Sequence, residues 1–382
     1  MKKIVIIGGG YAGLRAAEKL AKDKGLAITL IDKHYYHYLQ TEMYEFVSGR
    51  RNVCDITYNL ESFANRFTNI TFIQNEAVKI DTDKKQLICK TSNYTYDTLI
   101  IAVGTKDFIP TALKKYAYRV KDLRSAAALR EHFMQLLFSK VTMKEKNIDI
   151  VIGGAGQSGV ELAADFMSYA QECSADAGGE CSVHVKLIEG GSKLLPGAPK
   201  QIQQHTQKRL QSLGVEIILN TFITDANKET LIWSDKEHKY DIFVFAGGIT
   251  PTIFINHLQF AKTSNGFLQP DKMLKISENI YGIGDCAYIC DEHGKQLAPT
   301  AQIAEQSAEH VAKSIINDND TAFHGEVYGM FTALGKHYAS GHIFNKIFIH
   351  GKIAYLFKAA ITKLYAYGIK TKLNSSYFKR NP

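Results

Sequence analysis

Two stretches of the chain repeat one pattern. KKIVIIGGGYAGL near the start and NIDIVIGGAGQSGV near the middle each run from an apolar strand-like segment through a glycine turn into a helix-like segment. The glycines are Gly8, Gly10 and Gly13 in the first, and Gly154, Gly156 and Gly159 in the second. In such a unit the first glycine makes the tight turn, the second lets a backbone approach a pyrophosphate, and the third lets helix pack on strand. The first unit closes at Asp32, 19 residues beyond Gly13, where a carboxylate can accept hydrogen bonds from a ribose. The second closes at Glu189, 30 residues beyond Gly159, and an inserted loop, CSADAGGEC, is expected to account for the excess. Two such units predict an α/β protein with two Rossmann-like domains, and therefore two dinucleotides, or one enzyme that holds a cofactor and consumes another.

A carboxylate at position 189 repels a 2′-phosphate and so favours NADH over NADPH. Gly190 and Gly191 offer no offsetting cation, and Lys193 is the nearest residue that keeps NADPH open. Two further stretches, YDTLIIAVGT (96–105) and KYDIFVFAGGITP (239–251), read as strands ending in small residues. The first would carry Ala102, Gly104 and Thr105 past a ligand; each is also compatible with a buried strand entering a turn.

With 382 residues, 45% hydrophobic, and 7 prolines, the chain can fill two globular domains and is not expected to be disordered. No run approaches 18 apolar residues, and glycines cut the opening apolar run too short for a signal peptide, so the body is expected in the cytoplasm. The 6 cysteines include no CxxC and fit neither a disulfide scaffold nor a zinc quartet; no metal site is expected. Cys173 and Cys181 flank SADAGGE and read as incidental thiols, with a redox or metal role as the alternative.

The net charge of +8 does not indicate nucleic acid, because beyond residue 326 there is no Asp or Glu while eight lysines and Arg380 supply nine positive charges. The rest of the chain sums to about −1. Within this tail, GKIAYLFKAAITKLYAYGI carries Ile353, Leu356, Phe357, Ala360, Ile361, Leu364 and Tyr365 at helical spacing, with Lys352, Lys358 and Lys363 interspersed. The lysines prevent a bilayer span but suit an interface, where the apolar face enters the headgroups and the lysines meet anionic lipid. The same stripe can instead cover the first domain or a twofold contact in a homodimer.

Late in the chain, GFLQPDKMLKISENIYGIGDCA adds a glycine-aspartate pair. With both glycine signatures in this order, the sequence resembles the two-dinucleotide flavoprotein superfamily over nearly its whole length. The resemblance implies FAD on Gly8, Gly10, Gly13, Asp32 and Asp285, and NADH on Gly154, Gly156, Gly159 and Glu189. It also implies a discontinuous FAD domain, 1–110 with 252–322, an NADH domain at 111–251 and a C-terminal membrane-association region at 323–382.

Three branches of that superfamily are separable. The helix pair of cysteines used by disulfide reductases is missing from HYYHYLQTEMYEFVSGR, and no cysteine follows Cys290, as sulfide:quinone oxidoreductases would need. AQIAEQ, at Ala301–Gln306, matches the AQxAxQ signature of type II NADH dehydrogenases. HYLQTEMYEFVSG is similar to that family's H-x-x-x-P-L-L-Y-E-x-x-x-G segment, keeping His37, Tyr44 and Glu45 but placing Thr41, Glu42 and Met43 where the family has proline and leucines. The resemblance implies NADH oxidation, a membrane quinone as acceptor, no proton pumping, and a peripheral position on the cytoplasmic face of the cell membrane. Gln302 and Gln306, four apart on one helix face, would hold quinone carbonyls, or else face solvent. Glu161 would orient NADH or serve quinone protonation, or be a helix-terminal charge stabilised by amides. A sulfide:quinone oxidoreductase and a non-enzymatic nucleotide-binding membrane adaptor are the alternative functions.

Overall fold

The computed structural model describes residues 1–143, 147–176, 183–344 and 346–371; Cys181, Lys372, Lys379 and Arg380 fall outside them. Strand Lys2–Ile7 lies at the centre of a six-stranded sheet, parallel to Leu26–Asp32 on one side and Thr98–Ile101 on the other. Ile70–Gln74 and Ile280–Gly282 extend it in parallel, and Lys275–Ser277 closes one edge antiparallel. The central strand buries Ile4, Val5, Ile6 and Ile7 in succession, as a parallel strand covered on both faces must.

The second sheet copies this plan. Ile148–Gly153 sits between Val183–Ile188 and Ile242–Phe245, with Glu216–Ile218 outside, all parallel. Thr105–Asp107 pairs antiparallel with Ile249–Pro251, joining the two chain crossings between the sheets. Residues 38–56, from the first expected domain, bury Leu39, Phe46, Val47 and Ile56 in the second sheet's core beside Phe133 and Phe166.

Two expectations change. The excess spacing before Glu189 is mainly helix: the second-cradle helix, Gln157–Asp176, has 20 residues against 10 for Tyr11–Leu20, so Cys173 is helical, not in a loop. The tail is also not one amphipathic element. Gly329–Ala333, Ala339–Ile343 and Ile347–Gly351 form an antiparallel meander before the C-terminal helix, Lys352–Thr371. No described helix is long and apolar enough to cross a membrane.

Candidate active-site cleft

The two glycine turns have the same geometry. A Cβ on Gly13 would lie 1.8 Å from the Gly8 carbonyl oxygen, and one on Gly159 would lie 1.9 Å from that of Gly154. Helix and turn can close this tightly only without a side chain. Gly10 and Gly156 are the opposite case, since a Cβ at either would meet nothing within 4 Å. These are openings that a side chain would fill, as a pyrophosphate cradle requires.

The acidic residues also match. Asp32 Oδ2 accepts from Gly9 N at 2.6 Å and Oδ1 from His34 N at 2.8 Å. Glu189 Oε2 accepts from Ala155 N at 2.6 Å and Oε1 from Gly191 N at 2.8 Å. Burial raises the Asp32 pKa, and the Gly9 and His34 amides oppose that rise.

A cleft of about 1360 Å³ brings most of the expected residues together: Gly8, Gly10, Asp32, Ala102, Gly104, Thr105, Gly156, Glu161, Asp285, Gln302 and Gln306. Gly13, Gly154, Gly159 and Glu189 do not line it. The volume exceeds a drug-sized pocket, as an extended dinucleotide would need. Lys121, which the sequence did not single out, ties two of the lining residues together: its Nζ donates to Thr105 Oγ1 at 2.8 Å and pairs with Asp285 Oδ2 at 3.3 Å.

The glutamine helix, Ala301–Asn317, begins with Thr300 Oγ1 accepting from Ile303 N, a side-chain cap of the kind that fixes a helix start. Its two glutamines grip the chain leading into the meander. Gln302 Oε1 accepts from Tyr328 N at 2.9 Å, while Gln306 both donates to Glu326 O at 2.7 Å and accepts from Glu326 N at 2.9 Å. Neither is a simple solvent-facing residue. From the other domain, Gln157 Nε2 donates to Phe331 O at 3.2 Å and Glu161 Oε1 accepts from Ala333 N at 3.0 Å. The segment 326–333 is thus strapped between both domains by side chains.

Glu161 is 4% exposed and lies beyond the first turn of its helix, so the helix-terminal reading does not hold. Its counter-ion is Lys358, whose Nζ lies 2.9 Å from Glu161 Oε1. Burial pushes the Lys358 ammonium down, but Glu161 first and Glu42 next outweigh it, and the net displacement is upward. This corrects the expectation that Lys358 meets lipid.

The helix face that carries Lys358 is its buried one. Along it Thr362 Oγ1 donates to Glu42 Oε1 at 2.9 Å, and Tyr365 OH meets His37 Nε2 at 3.1 Å. Burial lowers the His37 pKa to about 4, so the ring is neutral at physiological pH. Three aliphatic residues point the other way: Ile353 is 62% exposed, Leu356 64% and Leu364 51%. Ala354 and Ile369 are buried and Ile361 lines the cleft, so the inner face is mixed polar and apolar while the outer one carries exposed aliphatic groups, unlike the usual surface helix. Sequence periodicity distinguished two faces but not which was inward, and Tyr365, counted with the apolar stripe, belongs to the inner one.

Fold and cleft define a protein with two dinucleotide-binding units that share one active-site cleft. The family model for pyridine nucleotide-disulphide oxidoreductases matches residues 2–308. A type II NADH:quinone oxidoreductase of Staphylococcus aureus (strain MSSA476) is 30% identical, over 95% of this chain and 94% of that protein. The chain belongs to the pyridine nucleotide-disulphide oxidoreductase family and, within it, to the type II NADH:quinone oxidoreductases. The fold is shared with NDH2 from Plasmodium falciparum in complex with NADH (TM-score 0.85, 21% identity, 97% of this chain and 96% of that one). It is shared also with a sulfide:quinone oxidoreductase from Aquifex aeolicus (TM-score 0.83, 20% identity, 97% and 92%).

Proposed function

We propose that the protein oxidises NADH and passes the reducing equivalents to a membrane quinone, with FAD in the first cradle. The observation that carries this reading is the single cleft, which is lined by the first cradle, by Gly156 of the second, and by the glutamine helix. When bound there, FAD supplies a ring that exchanges a hydride on one side and reducing equivalents on the other. The chain's own groups bind and orient. Gly10 and Gly156 leave room for the two pyrophosphates, Asp32 and Glu189 stand at the ribose positions, and Lys121 fixes Asp285. Residues 1–110 with 252–322 hold FAD on this reading, and 111–251 hold NADH.

At the acceptor end, Gln302 has its oxygen committed to Tyr328 N, which aims its amide as a donor for a quinone carbonyl. Gln306 is a fastener for the strap, with both ends of its amide on Glu326. The Glu161–Lys358 pair lines the cleft and holds protons near the acceptor, whose reduction takes up two. Sulfide chemistry has no such support. Among the described residues no cysteine lines the cleft, and burial pushes the Cys286 thiol up to about 12.

The outward face of the C-terminal helix is the surface for the cytoplasmic side of the membrane. Its exposed aliphatic residues enter the headgroups, with Lys352 and Lys363 exposed beside them. Removing the helix would also uncover Glu161 and Glu42, so substitutions on the exposed face make the cleaner test. The wild-type protein should float with anionic vesicles, and Leu356→Glu with Leu364→Glu should stay in solution while retaining its flavin. Unchanged flotation would refute the docking surface. Extraction of the bound yellow chromophore should yield FAD; a colourless protein that cannot be reconstituted with FAD would refute the enzymatic reading and favour the adaptor.

A further inference from the structure

We infer that Glu42 is a positioning residue for the acceptor end of the cleft: through the C-terminal helix it holds Lys358 charged and in register with Glu161. This rests on the reading of the Glu161–Lys358 pair given above. Glu42 itself is not part of the cleft lining.

Glu42 stands where the family segment has an aliphatic residue, in a short 3-10 turn, Gln40–Glu42, and it is 2% exposed. An ionised carboxylate this deep must be matched by partners. Both oxygens are matched. Oε2 pairs with Arg51 Nη2 at 2.9 Å, and Oε1 accepts from Thr362 Oγ1 at 2.9 Å. Burial raises the Glu42 pKa, and Lys358, Arg51 and the Thr362 hydroxyl oppose that rise in favour of the ionised form.

Thr362 lies one helical turn beyond Lys358, on the same face. The Glu42–Thr362 bond therefore fixes the rotation and height of the turn that presents the ammonium. The groups facing that ammonium come from two elements of the body. Glu161 comes from the second-cradle helix. Glu42, Glu45 and the Tyr44 ring, whose centroid is 4.9 Å from Lys358 Nζ, come from the segment after the first ribose acid. Arg51 stands behind them, bound to both Glu42 and Glu45. Three carboxylates thus face two cations, and this excess of negative charge favours a protonated Lys358.

Loss of the Glu42 charge should make Lys358 give up its proton at lower pH. The prediction separates charge from shape. Glu42→Gln keeps an oxygen for Thr362 but removes the charge. The rate of flavin reoxidation by a soluble quinone, followed by absorbance after pH jumps across pH 8–11.5, should show its alkaline limb displaced downward by about one unit in this variant. Flavin content and vesicle flotation should stay at wild-type values. Glu42→Leu, which puts back the aliphatic residue of the family segment and leaves Arg51 on Glu45, should show the same displacement and guards against a fault peculiar to the glutamine variant.

A wild-type limb in both variants would overturn the inference. Lys358→Gln distinguishes the two levels of the argument. If it leaves the limb in place, the limb does not belong to Lys358 and the underlying reading fails. If it abolishes the limb while the Glu42 variants leave it unmoved, only the role of Glu42 fails.

Discussion

The residue two positions beyond the third glycine is Arg15 in the first cradle and Glu161 in the second. Both are buried, at 5% and 4% exposure, and both line the cleft. Their charges are opposite, and each finds its counter-ion on a later helix: Glu305, 2.7 Å from Arg15 Nη2, and Lys358, 2.9 Å from Glu161 Oε1. The glycines fix a backbone that is the same in both halves. The later helix that supplies the counter-ion is what differs, and its charge is matched to that of the buried position. In the first half that helix also carries AQIAEQ; in the second it is the C-terminal helix with the exposed aliphatic face. The duplicated units therefore supply two like cradles, and on the proposed reading the later helices make one end a site for acceptor and membrane.

The largest effects should come from breaking the cradles one at a time. Gly10→Val places a side chain in the opening of the first and should abolish FAD retention, with far-UV circular dichroism unchanged. Gly156→Val should leave the protein yellow but raise the NADH concentration needed for half-maximal flavin bleaching at least about tenfold, a loss of about 1.4 kcal/mol. Equal loss of flavin in both variants would mean that the halves do not divide their ligands in this way.

Removing a counter-ion should cost less than losing a cofactor but should still be large. Lys358→Ala strands Glu161 in the interior and should lower the unfolding free energy in urea by about 3–5 kcal/mol. A more selective change is expected from Gln302→Ala, which should slow quinone-driven reoxidation about tenfold and leave NADH-driven reduction nearly unaltered. Equal slowing of both half-reactions would instead point to a displaced flavin.

The smallest effect concerns pH. Burial raises the Glu305 carboxyl to about 7 against the pull of Arg15, above its value of about 4.3 in an unfolded chain. Its contribution to stability is therefore complete below about pH 4 and is lost as pH rises through about 7. Glu305→Gln should flatten the fall in melting temperature across that window; an unchanged profile would show that Glu305 does not titrate there.

The two Rossmann-like units were readable because their glycines and acids are neighbours in sequence. The charge pairs were not, because Arg15 and Glu305 are 290 residues apart, and Glu161 and Lys358 are 197. Local spacing carries no information about a partner at that distance. Periodicity likewise marked Lys358 and Leu356 as different faces of one helix. Which face turned inward depended on Glu161, Glu42 and His37, side chains from elsewhere in the fold. Glu42 stood out in the sequence as a departure from the family segment, but its meaning required Arg51 and Thr362 to be in place. AQIAEQ was legible as a signature, yet the grip of both glutamines on residues 326–328 was not, since a motif names residue types and not the backbone that passes over them.

The most direct test is an anaerobic double-mixing experiment on the purified, FAD-loaded protein. NADH in the first mix should bleach the flavin absorbance near 450 nm, and a soluble quinone in the second should restore it, with hydroquinone formed in proportion to NADH consumed. Flavin that stays oxidised in the first mix, or stays reduced in the second, would contradict the account.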